Sequence, residues 1–294
     1  SGRTVAYFFD GAGRINQVSA TMNGAPTTLA SSITYLPFGG ITELIYGNRL
    51  SLIRGYDNQY RVTSIAAGYV LDLSYSYDGN GNIISAADPG NPAAGVPHDP
   101  TGVYSYEQGS NVLLAISGPS PRTFISDLNG NIIADNNRAY EYDDLNRLIT
   151  VTENTTQIAA YTYNALNQRI KKATSAGTTI YHYDPQGRLI GEANSSGQTL
   201  VEYVYVGDEL LAMIRSGENI YYYHNDHLGA PRALTNGSGD LVWKGFYAPF
   251  GAVNINSASI ENNLRFPGQY YDTETGLHYN WNRYYDPKTG RYIT

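Results

Sequence analysis

A short pattern, Tyr-Asp-x-x-Gly-Arg, recurs along the chain and admits few folds. Its copies run Phe9-Asp10-Gly11-Ala12-Gly13-Arg14-Ile15, Tyr56-Asp57-Asn58-Gln59-Tyr60-Arg61-Val62 and Tyr77-Asp78-Gly79-Asn80-Gly81-Asn82-Ile83. Two more are Tyr142-Asp143-Asp144-Leu145-Asn146-Arg147-Leu148 and Tyr183-Asp184-Pro185-Gln186-Gly187-Arg188-Leu189, with degenerate copies beginning at Asp127 and at Tyr163-Asn164. From Asp143 to Asn164 is 21 residues and from Asn164 to Asp184 is 20, the size of one hairpin and its linker.

The chemistry of the unit is legible. Tyrosines precede the anchor two apart, as in Tyr140/Tyr142, Tyr161/Tyr163 and Tyr181/Tyr183, and residues two apart in a strand share a face. The Asp then opens a turn, its carboxylate placed to accept backbone N–H groups two or three residues on. Gly or Asn three residues later suits the positive-φ position of a type I turn with a bulge. Arg or Asn starts the return strand, and Leu, Ile or Val alternate beyond it. A lone hairpin is marginal in water, so the units must pair side by side into a long antiparallel sheet. The 28 Tyr and 31 Gly among 294 residues agree with an all-β, hairpin-rich chain. Tyr163 to Lys172, the one helix candidate, reads better as a further hairpin.

Charge and composition exclude several classes. A net charge of −7 argues against nucleic-acid binding and against docking on anionic membranes. No apolar run reaches the roughly 18 residues of a spanning helix. Without cysteine there are no disulfide staples and no thiolate zinc sites. Ser1-Gly2-Arg3 carries no secretory h-region, so export would use a route without a cleaved signal, or the chain is an excised segment. Prolines 89, 92, 97 and 100 mark a loop. It sets residues 1–87, a first group of repeats, apart from 103–220, a central group, and 221–294, a distinct C-terminal segment, all expected to form one continuous structural domain with 88–102 as the loop.

The ordered motifs resemble the Rhs/YD-repeat family over nearly the whole chain. The resemblance is sharpened by Tyr223-His224-Asn225-Asp226-His227-Leu228-Gly229-Ala230-Pro231, by Trp243-Lys244-Gly245-Phe246-Tyr247-Ala248-Pro249-Phe250-Gly251, and by the closing runs from Phe266 and from Asn282. It implies a sheet that winds spirally into a hollow β-shell enclosing a C-terminal toxin, of which this chain is a partial or open segment. It also implies relatives in toxin complexes and on animal cell surfaces, export from the bacterial cytoplasm to a secreted or surface location, and secretion-system or toxin-complex partners. In the family, an Asp-Pro-x-Gly segment beyond the Arg-Tyr-Tyr run acts in aspartyl self-cleavage. Arg283 matches the assisting arginine, but the acidic partner falls just beyond Thr294, so this chain is expected not to cleave itself.

Other readings compete residue by residue. His224 and His227, with Asp226 between them, could ligate a metal, but three apart on a strand they face opposite ways; a hydrogen-bonded turn with Gly229 and Pro231 is preferred, and no metal or cofactor is expected. Asp226, Asp272 and Asp286 could include a proton-sharing dyad, against which turn capping is favoured. The repeated arginines Arg14, Arg61, Arg147 and Arg188 read as cross-strand partners of carboxylates stacked on tyrosines. Tyrosine rows flanked by Asn and Asp could bind glycans. Asn154, Asn194 and Asn236 head N-glycosylation sequons, which arise by chance in such loops.

Overall fold

The computed structural model describes residues 2–90 and 102–294. The proline-rich segment expected over 88–102 therefore lies, for residues 91–101, outside the described residues. Every regular element among the described residues is a strand, and every pairing is antiparallel between neighbours in sequence. The helix candidate is a hairpin, Thr156–Tyr163 with Arg169–Thr174.

The chain forms two compact units, each built from segments distant in sequence. The first unit takes residues 2–90, 199–246 and 254–262; the second takes 102–198, 247–253 and 263–294. Packing between residues far apart in sequence draws these lines, which a reading of local repeats does not see.

In the first unit, eight strands from Val5–Phe9 to Ile83–Ala87 pair in sequence order into an open sheet. A second run, Thr199–Val206, Glu209–Arg215, Asn219–Asn225 and Pro231–Thr235, pairs in the same way. Inward residues of both, among them Val18, Leu29, Leu52, Ile65, Val204 and Ile214, make one apolar core. In the second unit, strands from Val103–Tyr106 to Leu189–Asn194 form a ladder. A four-stranded sheet, Gln269–Asp272, Leu277–Asn280, Arg283–Asp286 and Arg291–Tyr292, packs on it. Here the core is largely aromatic: Tyr140, Tyr161 and Tyr181 of the ladder meet Tyr270, Tyr279 and Tyr284 of the small sheet.

One turn explains the rest. At Asp143 the carboxylate Oδ1 accepts the N–H groups of Leu145 and Arg147, both at 3.0 Å, and Oδ2 accepts Arg147 Nε at 2.7 Å. The acceptance is thus from residues two and four on, and not from the third, whose N–H bonds the anchor's own carbonyl. Asn146 takes φ 58° at that third position. Immediately inside the turn Tyr142 faces Leu148 while Glu141 faces Thr150, so Ile149 is left over as a one-residue bulge. The same geometry recurs at Asp10, Asp57, Asp78, Asp127, Asn164 and Asp184, with Gly13, Tyr60, Gly81, Gly130, Asn167 and Gly187 at positive φ.

The repeated tyrosine then ties one hairpin to the one before. Tyr163 Oη donates to the Leu148 carbonyl at 2.6 Å, Tyr142 Oη to Ile132 at 2.7 Å, Tyr77 Oη to Val62 at 2.7 Å and Tyr35 Oη to Ile15 at 2.8 Å. Each acceptor is the first residue of the preceding return strand. Arginines complete the joint: Arg14, Arg61 and Arg147 each pair with the Asp of their own turn and lie over Tyr35, Tyr77 and Tyr163 of the next hairpin. Tyr163→Phe should therefore lower stability by about 1–2 kcal/mol, because it removes one bond and leaves the Leu148 carbonyl short of a partner. Urea unfolding of the second unit measures it, and an unchanged midpoint would mean that the tie adds nothing.

Candidate functional site

Three places hold the residues singled out by sequence, and a fourth was not foreseen. The signature turn lies in the first unit. Asp226 anchors it as the other anchors do, Oδ1 accepting the N–H groups of Leu228 at 2.9 Å and Ala230 at 3.0 Å, with Gly229 at φ 82°. Pro231 opens the return strand opposite Asn225. Arg232, at the bulge, donates to Asp88 at 2.6 Å and stands 3.9 Å from Asp226. Burial pushes the Asp226 carboxyl above its ordinary value. His224 is fully buried against Tyr46, with Nε2 2.9 Å from Thr235 Oγ1, while His227 packs on the ring of Tyr75. The two histidines thus serve separate contacts. Among the described residues no three His, Cys, Asp or Glu side chains gather as a metal site would require.

Arg283 begins an inner strand of the small sheet in the second unit, exposed, its guanidinium 3.7 Å from the centre of the Tyr292 ring. The carboxylates proposed as a dyad are held apart by separate cations. Asp286 accepts Lys288 N–H at 2.9 Å, which is turn capping, and also Arg122 Nη1 at 2.6 Å. Arg122 holds Asp135 as well. Asp272 corrects the turn-capping reading, because its carboxylate leaves the turn altogether; only its backbone carbonyl accepts the N–H groups of Thr275 and Gly276.

That carboxylate goes to the unforeseen centre. Arg169 and Asp272 are both wholly buried and meet at 2.5 Å. Lys172 Nζ reaches Asp272 at 3.1 Å and Glu274 at 3.1 Å. Five tyrosine rings surround the guanidinium, with centres at 5.3 Å for Tyr161, 4.7 Å for Tyr181, 5.3 Å for Tyr270, 4.5 Å for Tyr279 and 5.8 Å for Tyr284. Arg169 Nε and Nη2 find no oxygen partner, so ring faces take that place. Tyr279 Oη accepts the Arg169 N–H at 2.8 Å. Burial pushes the Asp272 carboxyl up, but Arg169 and Lys172 outweigh it and hold the group below its ordinary value. For Glu274, burial and the neighbouring Asp272 charge together raise it.

The sequence carried a signal for Arg169. It follows Gln168, which fills the usual arginine position, and so stands where the other copies place Leu148 or Leu189 at the start of the return strand. A cation at an apolar register asks for a buried counter-charge. Two turn anchors were also missed, Asn194 and Asn236, read only as sequons. Each Oδ1 accepts two backbone N–H groups, from Ser196 and Gln198 and from Ser238 and Asp240. Glycines 197 and 239, three residues on at positive φ, were the signal.

The tyrosines are mostly spent inside the cores. Tyr104 and Tyr106, stacked at 6.5 Å, form a partly open pair, with Arg291 over Tyr106.

Comparison with known proteins follows the fold. The family described as Teneurin YD-shell matches residues 2–294. The double-stranded DNA deaminase toxin A of Burkholderia cenocepacia is 28% identical over 83% of this chain, which covers 22% of that protein. Toxin protein Tse5 of Pseudomonas aeruginosa is 43% identical over 26% of the chain and 6% of its own length. Among solved structures, the Photorhabdus luminescens Tc holotoxin pore aligns over 100% of this chain and 19% of its own, with TM-score 0.78 at 18% identity. The chain thus spans about a fifth or less of these relatives.

Proposed function

The chain belongs to the teneurin YD-shell family, and on that premise we propose that it is a wall segment of a bacterial toxin shell, shielding a C-terminal toxin until delivery. The wall reading rests on one observation above others: the repeated tyrosines, arginines and aspartates that could form a binding face are bonded to one another within the ladders. Relatives named as toxins share the module, and the deaminase activity in the name of one belongs to a protein of which this chain covers 22%. The segment itself works by excluding solvent and protease, without chemistry of its own. Its partners are the enclosed toxin, further shell segments and components of a secretion system or toxin complex. It acts outside the cytoplasm in which it is made. No helix among the described residues is long and apolar enough to cross a membrane.

The test uses the natural full-length gene product. Limited trypsin digestion should spare the part that follows the shell, and a shell-destabilising Arg169→Met change should expose it. Digestion of that part inside an intact shell would end the encapsulation reading. Saturable binding on a glycan array, abolished by Tyr104→Ala with Tyr106→Ala, would replace it with an adhesion module.

A further inference from the structure

The face of the second unit's ladder turned away from its core carries an apolar track that the wall contacts leave unused. Along one rim, three successive turns each carry a leucine in the tight loop, Leu128 one residue after its anchor and Leu145 and Leu166 two residues after theirs, and an isoleucine at the bulge that follows, Ile133, Ile149 and Ile170. These leucines are bare, 107% exposed at Leu128, 64% at Leu145 and 75% at Leu166, where turn chemistry alone would place polar residues. They are also held in register. Asn129 and Asn131 donate to Asn146 Oδ1 at 2.9 and 2.8 Å, and Arg147 donates to Asn167 Oδ1 at 2.9 Å, so successive turns are bonded side by side.

Spacing selects what such a track can receive. Turns on one rim are two strands apart, about 9.4–9.8 Å. An extended strand presents same-face residues at about 6.6–6.8 Å, or at twice that, and falls out of step. Helix residues seven apart recur at about 10.5 Å and stay within reach across three turns. Charge gives the direction. Between the first two turns lies an open groove of about 640 Å³ floored by Ile133 and Ile149 and flanked by Glu141 and Asp144. Those two exposed carboxylates make no hydrogen bond or ion pair among the described residues, whereas Asp127 and Asp143 are engaged in their own turns. At the far end stands exposed Lys171.

We propose that this track docks an amphipathic helix of a partner protein, with aliphatic residues at heptad spacing and basic residues toward the Leu128–Leu145 end. The contact is independent of whether the shell encloses a toxin. Its mode is helix-in-groove recognition with complementary charge setting orientation.

A fluorescein-labelled synthetic helix with leucines at heptad spacing and lysines flanking one half serves as the probe, titrated against the whole chain by anisotropy. Saturable binding is expected, and Leu145→Ser with Leu166→Ser should weaken it by about tenfold or more. These side chains are exposed, so circular dichroism should show the fold kept. Glu141→Lys with Asp144→Lys should shift preference to a glutamate-flanked helix. No binding at about millimolar peptide, or binding indifferent to the leucine changes, overturns the proposal. So does self-association of the chain that the same leucine changes abolish, since the occupant would then be a second copy.

Discussion

Arg169→Met should destabilise the second unit by about 3–5 kcal/mol, the cost of leaving a wholly buried carboxylate without its main cation. Asp272 then keeps only Lys172, which it shares with Glu274. The tyrosine cage loses its centre as well, because five rings face one guanidinium. Asp272→Asn should cost a similar amount for the opposite reason, a buried cation left uncompensated. The joint change Arg169→Met with Asp272→Asn should recover more than half of either loss, since a buried pair gains little over an apolar replacement while a broken one costs a great deal. Arg169→Lys should not rescue, because an ammonium lacks the plane that stacks on the rings.

The chain's two tryptophans separate the units: Trp243 is buried in the first and Trp281 lies half-open in the second. Urea unfolding followed in a Trp243→Phe background should show the shift, and the matching Trp281→Phe background should not. Losses under about 1 kcal/mol, or a double variant no better than the singles, would show that the pair is not coupled and that the cage rehydrates without it.

Legibility in this chain follows the distance over which an interaction acts. The Asp143 turn was readable because the carboxylate, the N–H groups that donate to it and the return strand lie within five residues. So was the alternation of Tyr140 and Tyr142, which strand geometry alone dictates. Asn194 and Asn236 escaped because an amide does the same work as a carboxylate at the anchor, and the glycine three residues later was the better guide. Arg169 could be seen as a misfit in the apolar register, but its partner is 103 residues away and nothing local points to it. The same limit hid the two units: residues 199–246 pack with residues 2–90, and no repeat spacing encodes that return. The bulge left by each turn explains a subtler feature. Ile133, Ile149 and Ile170 look like core residues in sequence, yet the one-residue slip turns them away from the core.

Acid should weaken both units through a buried histidine in each. His224 in the first unit and His278 in the second are each pushed down from 6.5 to about 3. Burial alone does this to His224, whose neighbours are Tyr46 and Thr235. For His278 burial is joined by the Arg265 charge and opposed by Asp272, while Gln269 Oε1 lies 2.7 Å from Nδ1 between the rings of Tyr271 and Tyr285. Both folded-state values are depressed, so the stabilisation is complete above pH 6.5, where the unfolded imidazole is also neutral. It drains as pH falls, because the unfolded chain takes up a proton that the folded chain refuses, at about 1.4 kcal/mol per pH unit for each histidine. By pH 4.5 each unit should have lost about 2–3 kcal/mol, a large share of a domain's usual 5–15 kcal/mol. Asp226 and Glu274, raised by burial, act in the opposite sense, since the folded chain protonates them first. Comparison with His224→Gln and His278→Gln removes their contribution, for parent and variant share every carboxylate. Each variant should be less stable than the parent at pH 7.5, and the gap should close by about pH 4.5, seen at Trp243 for the first substitution and at Trp281 for the second. A gap that stays constant between pH 7.5 and 4.5 would mean that the imidazole is protonated as freely in the fold as outside it, and acid sensitivity would then belong to other groups, His227 of the first unit, which burial also lowers, among them.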